Sequence, residues 1–284
     1  MYNIVWVFII QTQIKAVPRT TYHVPCTMYH VSCTLYILGC IFTAMMKKQI
    51  PNILTLFNLL MGCCALYFIF VQAYQIVFYL ILMAAIADVF DGMAARWLKV
   101  DGGLGKQLDS LADVVSFGVV PGAILFQLIR YAHDASGGMN GSNGGVWLGF
   151  LGFIFTLGAA LRLARFNIDE RQTTEFIGLA TPGATVAVLG LMMIQNKGLG
   201  WFQENLINEY VLIFVAIALF LLMNSPIRMF SIKSIKGGLK GNEIPVGFIV
   251  LALGSILLFG GPAMFLVPFI YVVVSMVWGR KNLN

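Results

Sequence analysis

The chain has 284 residues, 59% of them hydrophobic and only 11% charged, with a net charge of +6. That balance excludes an ordinary soluble domain and points to a protein that crosses a membrane several times. At roughly 20 residues per span, the length suits about eight spans with short loops, an all-α polytopic architecture.

Residues 1–45 differ from the rest. The apolar start from Ile4 to Ile10 has no basic stretch before it and no clear small-residue cleavage site after it, so it does not read as a signal peptide. A near-exact seven-residue repeat follows, Tyr22 to Met28 and then Tyr29 to Leu35. Its pairs His23-x-x-Cys26 and His30-x-x-Cys33 have zinc-like spacing but no structured scaffold around them. The plainer reading is a translated tandem nucleotide repeat upstream of the working start. Met46-Lys47-Lys48 places a basic cap directly before the first convincing span, so the functional protein is expected to begin at Met45 or Met46. The expected organisation is an extension (1–45), a catalytic membrane domain (46–241) and a C-terminal transmembrane hairpin (242–284). The five cysteines are not expected to form a disulfide framework.

Apolar segments then run at about 53–73, 75–97, 106–131, 146–166, 178–196, 209–224, 244–260 and 263–278. Pro182, Pro245 and Pro262 mark helix starts or tight hairpins. The basic residues sort by side. Lys47 and Lys48, then Arg96, Lys99 and Lys106, then Arg162, Arg165 and Arg171, then Arg228, Lys233, Lys236 and Lys240, then Arg280 and Lys281 fall on one side; Arg130 and Lys197 fall on the other. By the positive-inside rule the first side is cytoplasmic and holds both termini. The expected location is the inner membrane. The Gly-rich loop at 134–145 and His133 fall outside and receive no chemistry.

The stretch from Asp88 to Asp113 lies on the cytoplasmic side. Asp88 and Asp91 are three apart, Asp109 and Asp113 four apart, and each spacing puts a pair on one helix face. A short turn through Asp101, Gly102 and Gly103 lets the two helices bring the pairs together. Carboxylates are costly in hydrocarbon, and four that converge repel unless cations sit among them. Such oxygen ligands suit Mg²⁺ or Mn²⁺. Unrelated buried polar groups, or a pathway for divalent cations, also account for the carboxylates, but not for the glycines and alanine placed between them.

Written as spacings, the stretch is Asp88-x2-Asp91-Gly92-x2-Ala95-Arg96-x8-Gly105-x3-Asp109-x3-Asp113. Every position matches the signature of the CDP-alcohol phosphotransferases, and the chain resembles that family from about Met46 to Lys236. The resemblance implies a six-helix catalytic core and two divalent ions held by Asp88, Asp91, Asp109 and Asp113. It makes Asp113 the general base for the attacking hydroxyl. Gly92, Ala95 and Gly105 are small enough for a cytidine or phosphate to approach the backbone, and Arg96 offers a forked donor set to phosphate oxygens. A homodimer is implied as well, and no nucleic-acid partner.

The flanks bear on the acceptor. Ile50 to Gly62, with Thr55 and Asn58, the segment Val114 to Pro121, Leu161 to Asn167 and Gly178 to Gly183 resemble the bacterial membrane-embedded phosphatidylserine synthases. Glycerophosphate-using relatives carry arginine where Asn58 stands and lysine where Val114 stands; Ala180 departs from the proline common in the serine-using group. The expected substrates are therefore CDP-diacylglycerol and L-serine, with glycerol 3-phosphate, inositol phosphate or an amino alcohol as alternative acceptors. Thr55 and Asn58 either bond the cytidine diphosphate group or pack helices. Arg162 and Arg165, three apart, either hold the serine carboxylate or snorkel to anionic membrane lipids. Lys233 is a further candidate for the carboxylate.

Overall fold

A computed structural model describes residues 49–100, 103–137, 144–168, 176–229 and 243–281. The chain divides between Lys47 and Lys48 into two units, and all the described residues lie in the second. The His-x-x-Cys repeats, Arg171, Lys233, Lys236 and Lys240 fall outside the described residues.

Helix α1 spans Gln49–Phe70. Its buried residues Pro51, Thr55, Asn58, Gly62, Ala65 and Ile69 alternate four and three apart and so form one inward stripe. Its other faces carry exposed Leu56, Leu60, Tyr67 and Phe70, which suits a helix whose surroundings are lipid. The chain reverses through Gln72 at φ 57 into α2, Tyr74–Leu98, whose buried stripe runs Tyr74, Val77, Ile81, Ala84, Ala87 and Asp91. Lys99 ends α2 in the left-handed region at φ 51, and the Val100 N–H donates back to Ala95 O at 3.1 Å.

The next span is one continuous helix, Gly103–Ala135, and 78% of its apolar window is buried. It comprises α3 (Gly103–Val114), a π turn (Val115–Val119) and α4 (Val120–Ala135). At 1.5 Å per residue it is about 50 Å long, some 20 Å more than a hydrocarbon core requires. Its polar first turns, including Lys106, Gln107 and Asp109, supply that excess. Then follow α5 (Gly144–Gly149), a 3₁₀ turn (Phe150–Phe153) and α6 (Ile154–Ile168), together another long apolar helix. Helices α7 (Thr181–Lys197), α8 (Gly200–Leu206), α9 (Glu209–Met223), α10 (Glu243–Phe259) and α11 (Gly261–Lys281) complete the described fold.

Among the described residues four helices are long and apolar enough to cross a membrane, or five if α8 and α9, bent by 74°, count as one span. The protein is thus helical and membrane-spanning. Pro182 stands at the start of α7 and Pro262 at the start of α11, where no intrahelical donor is lost. Among the described residues the one sheet element is a two-residue ladder, β1 (Phe176–Ile177) antiparallel to β2 (Arg228–Met229). Gly178, at φ 73, turns the chain from β1 toward α7, a conformation that disfavours a Cβ.

The core lies around α4, α6, α7 and α9, with Phe117, Ile124, Leu128, Phe155, Leu191 and Met192 almost fully enclosed. Close approach here depends on small residues. A Cβ on Gly190 of α7 would lie 2.8 Å from Phe265 Cα of α11. On the end away from the aspartates, His133 Nδ1 and Glu209 Oε2 lie 2.5 Å apart and tie α4 to α9. The sequence assigns His133 no chemistry; its structural use is to give the buried Glu209 a partner.

Candidate active site

The aspartates meet where the C-terminal part of α2 runs beside α3. Asp88 and Asp91 fall one turn apart on α2, and Asp109 sits two turns into α3. One carboxylate oxygen from each of Asp88, Asp91 and Asp109 lies within 4.8 Å of the others. Asp91 is only 5% exposed. Carboxylates this close in a poorly hydrated place repel strongly unless positive charge sits among them.

Helix α1 holds two of the aspartates. The Thr55 hydroxyl lies 2.6 Å from Asp91 Oδ2 and 3.0 Å from its own helix's Pro51 O. One turn further, Asn58 Nδ2 donates to Asp113 Oδ1 at 3.3 Å. Asn58 is fully buried, and its Oδ1 has no hydrogen-bond partner among the described residues. The inward stripe of α1 therefore faces both aspartate pairs. Asp113 lies one turn beyond Asp109 on α3.

A cavity of about 480 Å³ opens beside the cluster, and its wall includes Thr55, Asp91, Gly92, Ala95, Gly105 and Asp109. A Cβ on Gly92 would meet nothing within 4 Å, so that backbone faces open space. Arg96 stands outside this wall, and its Nε donates to Gly92 O at 3.0 Å. Asn52 and Lys106 also line the cavity. In the sequence Lys106 stands out only as a topological charge; its place next to Gly105 is the available signal. Lys106 Nζ donates to Asn167 O at 3.2 Å, and Asn167 Nδ2 donates to Ser110 Oγ at 2.7 Å, so the end of α6 is tied to the first turns of α3.

A second cavity, about 390 Å³, lies at the end of α6, against β1, the end of α9 and the segment after α9; its wall includes Arg162, Arg165, Ile177, Asn224 and Ser225. Arg162 is 7% exposed. Its Nη2 reaches Gly178 O at 3.5 Å, and its Nε has no hydrogen-bond partner among the described residues. Arg165 Nη1 lies 3.5 Å from Asn224 Oδ1. A buried guanidinium with an unused N–H beside a cavity is suited to an anionic group.

The donor set of the first cluster is all carboxylate oxygen, which fits a hard divalent cation such as Mg²⁺ or Mn²⁺ better than zinc.

A family model described as CDP-alcohol phosphatidyltransferase matches residues 48–223. The match includes all four aspartates and stops before α10 and α11. One relative, a CDP-diacylglycerol–serine O-phosphatidyltransferase of Helicobacter pylori, is 31% identical over 194 residues, covering 67% of this chain and 75% of its own length. The protein of the same description from a second Helicobacter pylori strain is 28% identical over 247 residues, covering 82% of this chain and 95% of its own. A Bacillus subtilis protein so described is 29% identical over 153 residues, covering 52% and 78%.

Proposed function

The chain belongs to the CDP-alcohol phosphatidyltransferase family, and on that premise we propose that it transfers the phosphatidyl group of CDP-diacylglycerol to L-serine, releasing CMP. The observation that carries this reading is the convergence of Asp88, Asp91 and Asp109, of which Asp91 and Asp109 stand in the wall of the larger cavity. The relatives whose names specify serine as acceptor support the choice of alcohol.

Asp88, Asp91, Asp109 and Asp113 would hold two Mg²⁺ or Mn²⁺ ions. When bound, the ions supply positive charge that offsets the diphosphate and the departing oxygen. Asp113 accepts the proton of the serine hydroxyl; the serine Oγ–P bond forms in line as the bond from phosphorus to the CMP oxygen breaks. CMP leaves with the negative charge. Gly92, Ala95 and Gly105 leave room for the cytidine diphosphate group along the cavity wall. Arg96 is assigned to phosphate, which requires its side chain to leave Gly92 O. Thr55 and Asn58 serve the same group chiefly through the aspartates they bond. Arg162 and Arg165 receive the serine carboxylate; the unused Nε of Arg162 supports this. Lys233 is retained as a candidate on sequence grounds alone.

The wider reading is an enzyme of eight transmembrane helices with a six-helix core, working as a homodimer in the inner membrane with its site at the cytoplasmic face. There the acyl chains stay in the bilayer while cytidine and serine come from water. Residues 46–241 form the catalytic domain and 242–284 a hairpin. The test is CMP release by detergent-purified protein given CDP-diacylglycerol, Mg²⁺ or Mn²⁺, and one acceptor at a time. Release with serine alone is expected. Release with glycerol 3-phosphate or an inositol derivative but not serine would overturn the acceptor while keeping the family chemistry.

A further inference from the structure

The helix that carries Asp109 and Asp113 changes its pairing just after them. From Val115 to Val119 it is a π turn, and the Val120 N–H donates to Val115 O, five residues back. The sequence gives a cause. Pro121 has no N–H to offer Phe117 O, and in an α-helix its ring would press on that carbonyl. Widening the turn relieves the clash and absorbs one additional residue.

Three neighbouring helices hold the widened turn. Thr185 of α7 lies 3.1 Å from Phe117 O, the carbonyl that Pro121 cannot serve, as well as 3.0 Å from Thr181 O in its own helix. Thr156 of α6 donates to Gly118 O at 2.9 Å. Ser116 donates to Asn58 O of α1 at 3.1 Å, and the same Asn58 bonds Asp113. The packing leaves little slack. A Cβ on Gly118 would lie 3.3 Å from Ala159 Cβ, and one on Gly62 would lie 3.1 Å from Ser116 Cα.

We propose that this π turn sets the rotational phase of Asp109 and Asp113 in the site, with Pro121 as its cause and Thr156 and Thr185 as positioning residues that hold it. If 115–119 were α-helical, the aspartates would turn about the helix axis, relative to α4, by up to the ~100° that one residue occupies. Asp113 would leave Asn58, and Asp109 would leave Asp88 and Asp91. The inference rests on the reading of the aspartates as metal-holding groups; it does not depend on which alcohol attacks.

The experiment compares Pro121→Ala, Thr185→Val and Thr185→Ser with the unaltered full chain. It reads Mn²⁺ affinity without substrate by paramagnetic resonance titration, kcat for CMP release, and thermal unfolding. Pro121→Ala restores the missing donor, so a merely structural role predicts equal or higher thermal stability with an unchanged site. The proposal predicts that stability together with Mn²⁺ affinity and kcat each lower by about 10-fold or more, the usual cost of disturbing groups that orient metal ligands. Thr185→Val should weaken Mn²⁺ binding in the same direction, and Thr185→Ser should stay near the unaltered protein. A folded Pro121→Ala variant with unchanged Mn²⁺ affinity and kcat would overturn the proposal. Should Pro121→Ala not fold, equal Mn²⁺ affinity in Thr185→Val and Thr185→Ser would overturn it instead. If the unaltered protein binds no Mn²⁺, the metal reading itself falls, and this inference with it.

Discussion

Replacing Thr55 by valine removes one hydroxyl and keeps the shape of the side chain. The bond lost is short, 2.6 Å to Asp91 Oδ2, and both residues are almost fully buried, Thr55 at 3% and Asp91 at 5% exposure. Water therefore has little access to replace the missing donor. A hydrogen bond to a charged group contributes about 1.5–3 kcal/mol, and each 1.4 kcal/mol is about tenfold in an equilibrium. Thr55→Val should thus weaken Mn²⁺ binding by roughly 10-fold to 100-fold, with kcat falling in parallel. The helix itself should survive, because the Thr55 side chain is not part of its backbone ladder. Mn²⁺ titration and CMP release at saturating substrates measure the effect, with Thr55→Ser as the control that keeps the hydroxyl. If Thr55→Val matched Thr55→Ser in both readings, the claim that α1 orients the aspartates would be wrong.

Asp113→Asn should retain much of the Mn²⁺ binding but lose CMP release by about 10²–10⁴-fold, the range expected when a general base is removed; near-normal turnover would reassign the base. Arg162→Gln and Arg165→Gln should raise the serine KM by about 10-fold or more, the cost of losing a charge-assisted bond, while the KM for CDP-diacylglycerol stays put; an equal rise in both would place the arginines elsewhere. Gly190→Val should lower the thermal unfolding temperature by several degrees, because its side chain would meet the Phe265 backbone and overpacking costs about 1–3 kcal/mol; an unchanged melting curve would mean that α11 can shift freely along α7.

The helices and the aspartate cluster were legible in the sequence for different reasons. Long apolar runs have few alternatives in a bilayer, so the segments read at 75–97 and 106–131 match helices Tyr74–Leu98 and Gly103–Ala135 with modest extensions. The aspartates stood out because hydrocarbon makes every carboxylate conspicuous, and their spacing fixed which faces they share. What escaped was pairing across the fold. Thr55 reads in the sequence as a substrate contact and nearly as well as a packing residue, and only the juxtaposition of α1 and α2 shows that it meets Asp91. Arg96 looked like a phosphate ligand from its place in the signature, yet its Nε is bonded to the backbone one turn back. The two-residue ladder between Phe176 and Met229 was invisible because so short a pairing leaves no periodicity to read. The π turn has one indirect mark in the sequence, Pro121 inside a long, mostly apolar run.

The enclosure of the Gly103–Ala135 helix contrasts with the openness of its neighbours: 78% of its apolar window is buried, against 28% in α1 and in α2. In a library of random substitutions this becomes a map of tolerance. Outward positions such as Ile53, Leu60 and Tyr67, each more than half exposed, should accept most apolar replacements. Ile124, Leu125 and Leu128, enclosed on every side, should accept very few. Two membrane helices of similar hydropathy would then drift at different rates over generations, the one that carries Asp109 and Asp113 changing most slowly.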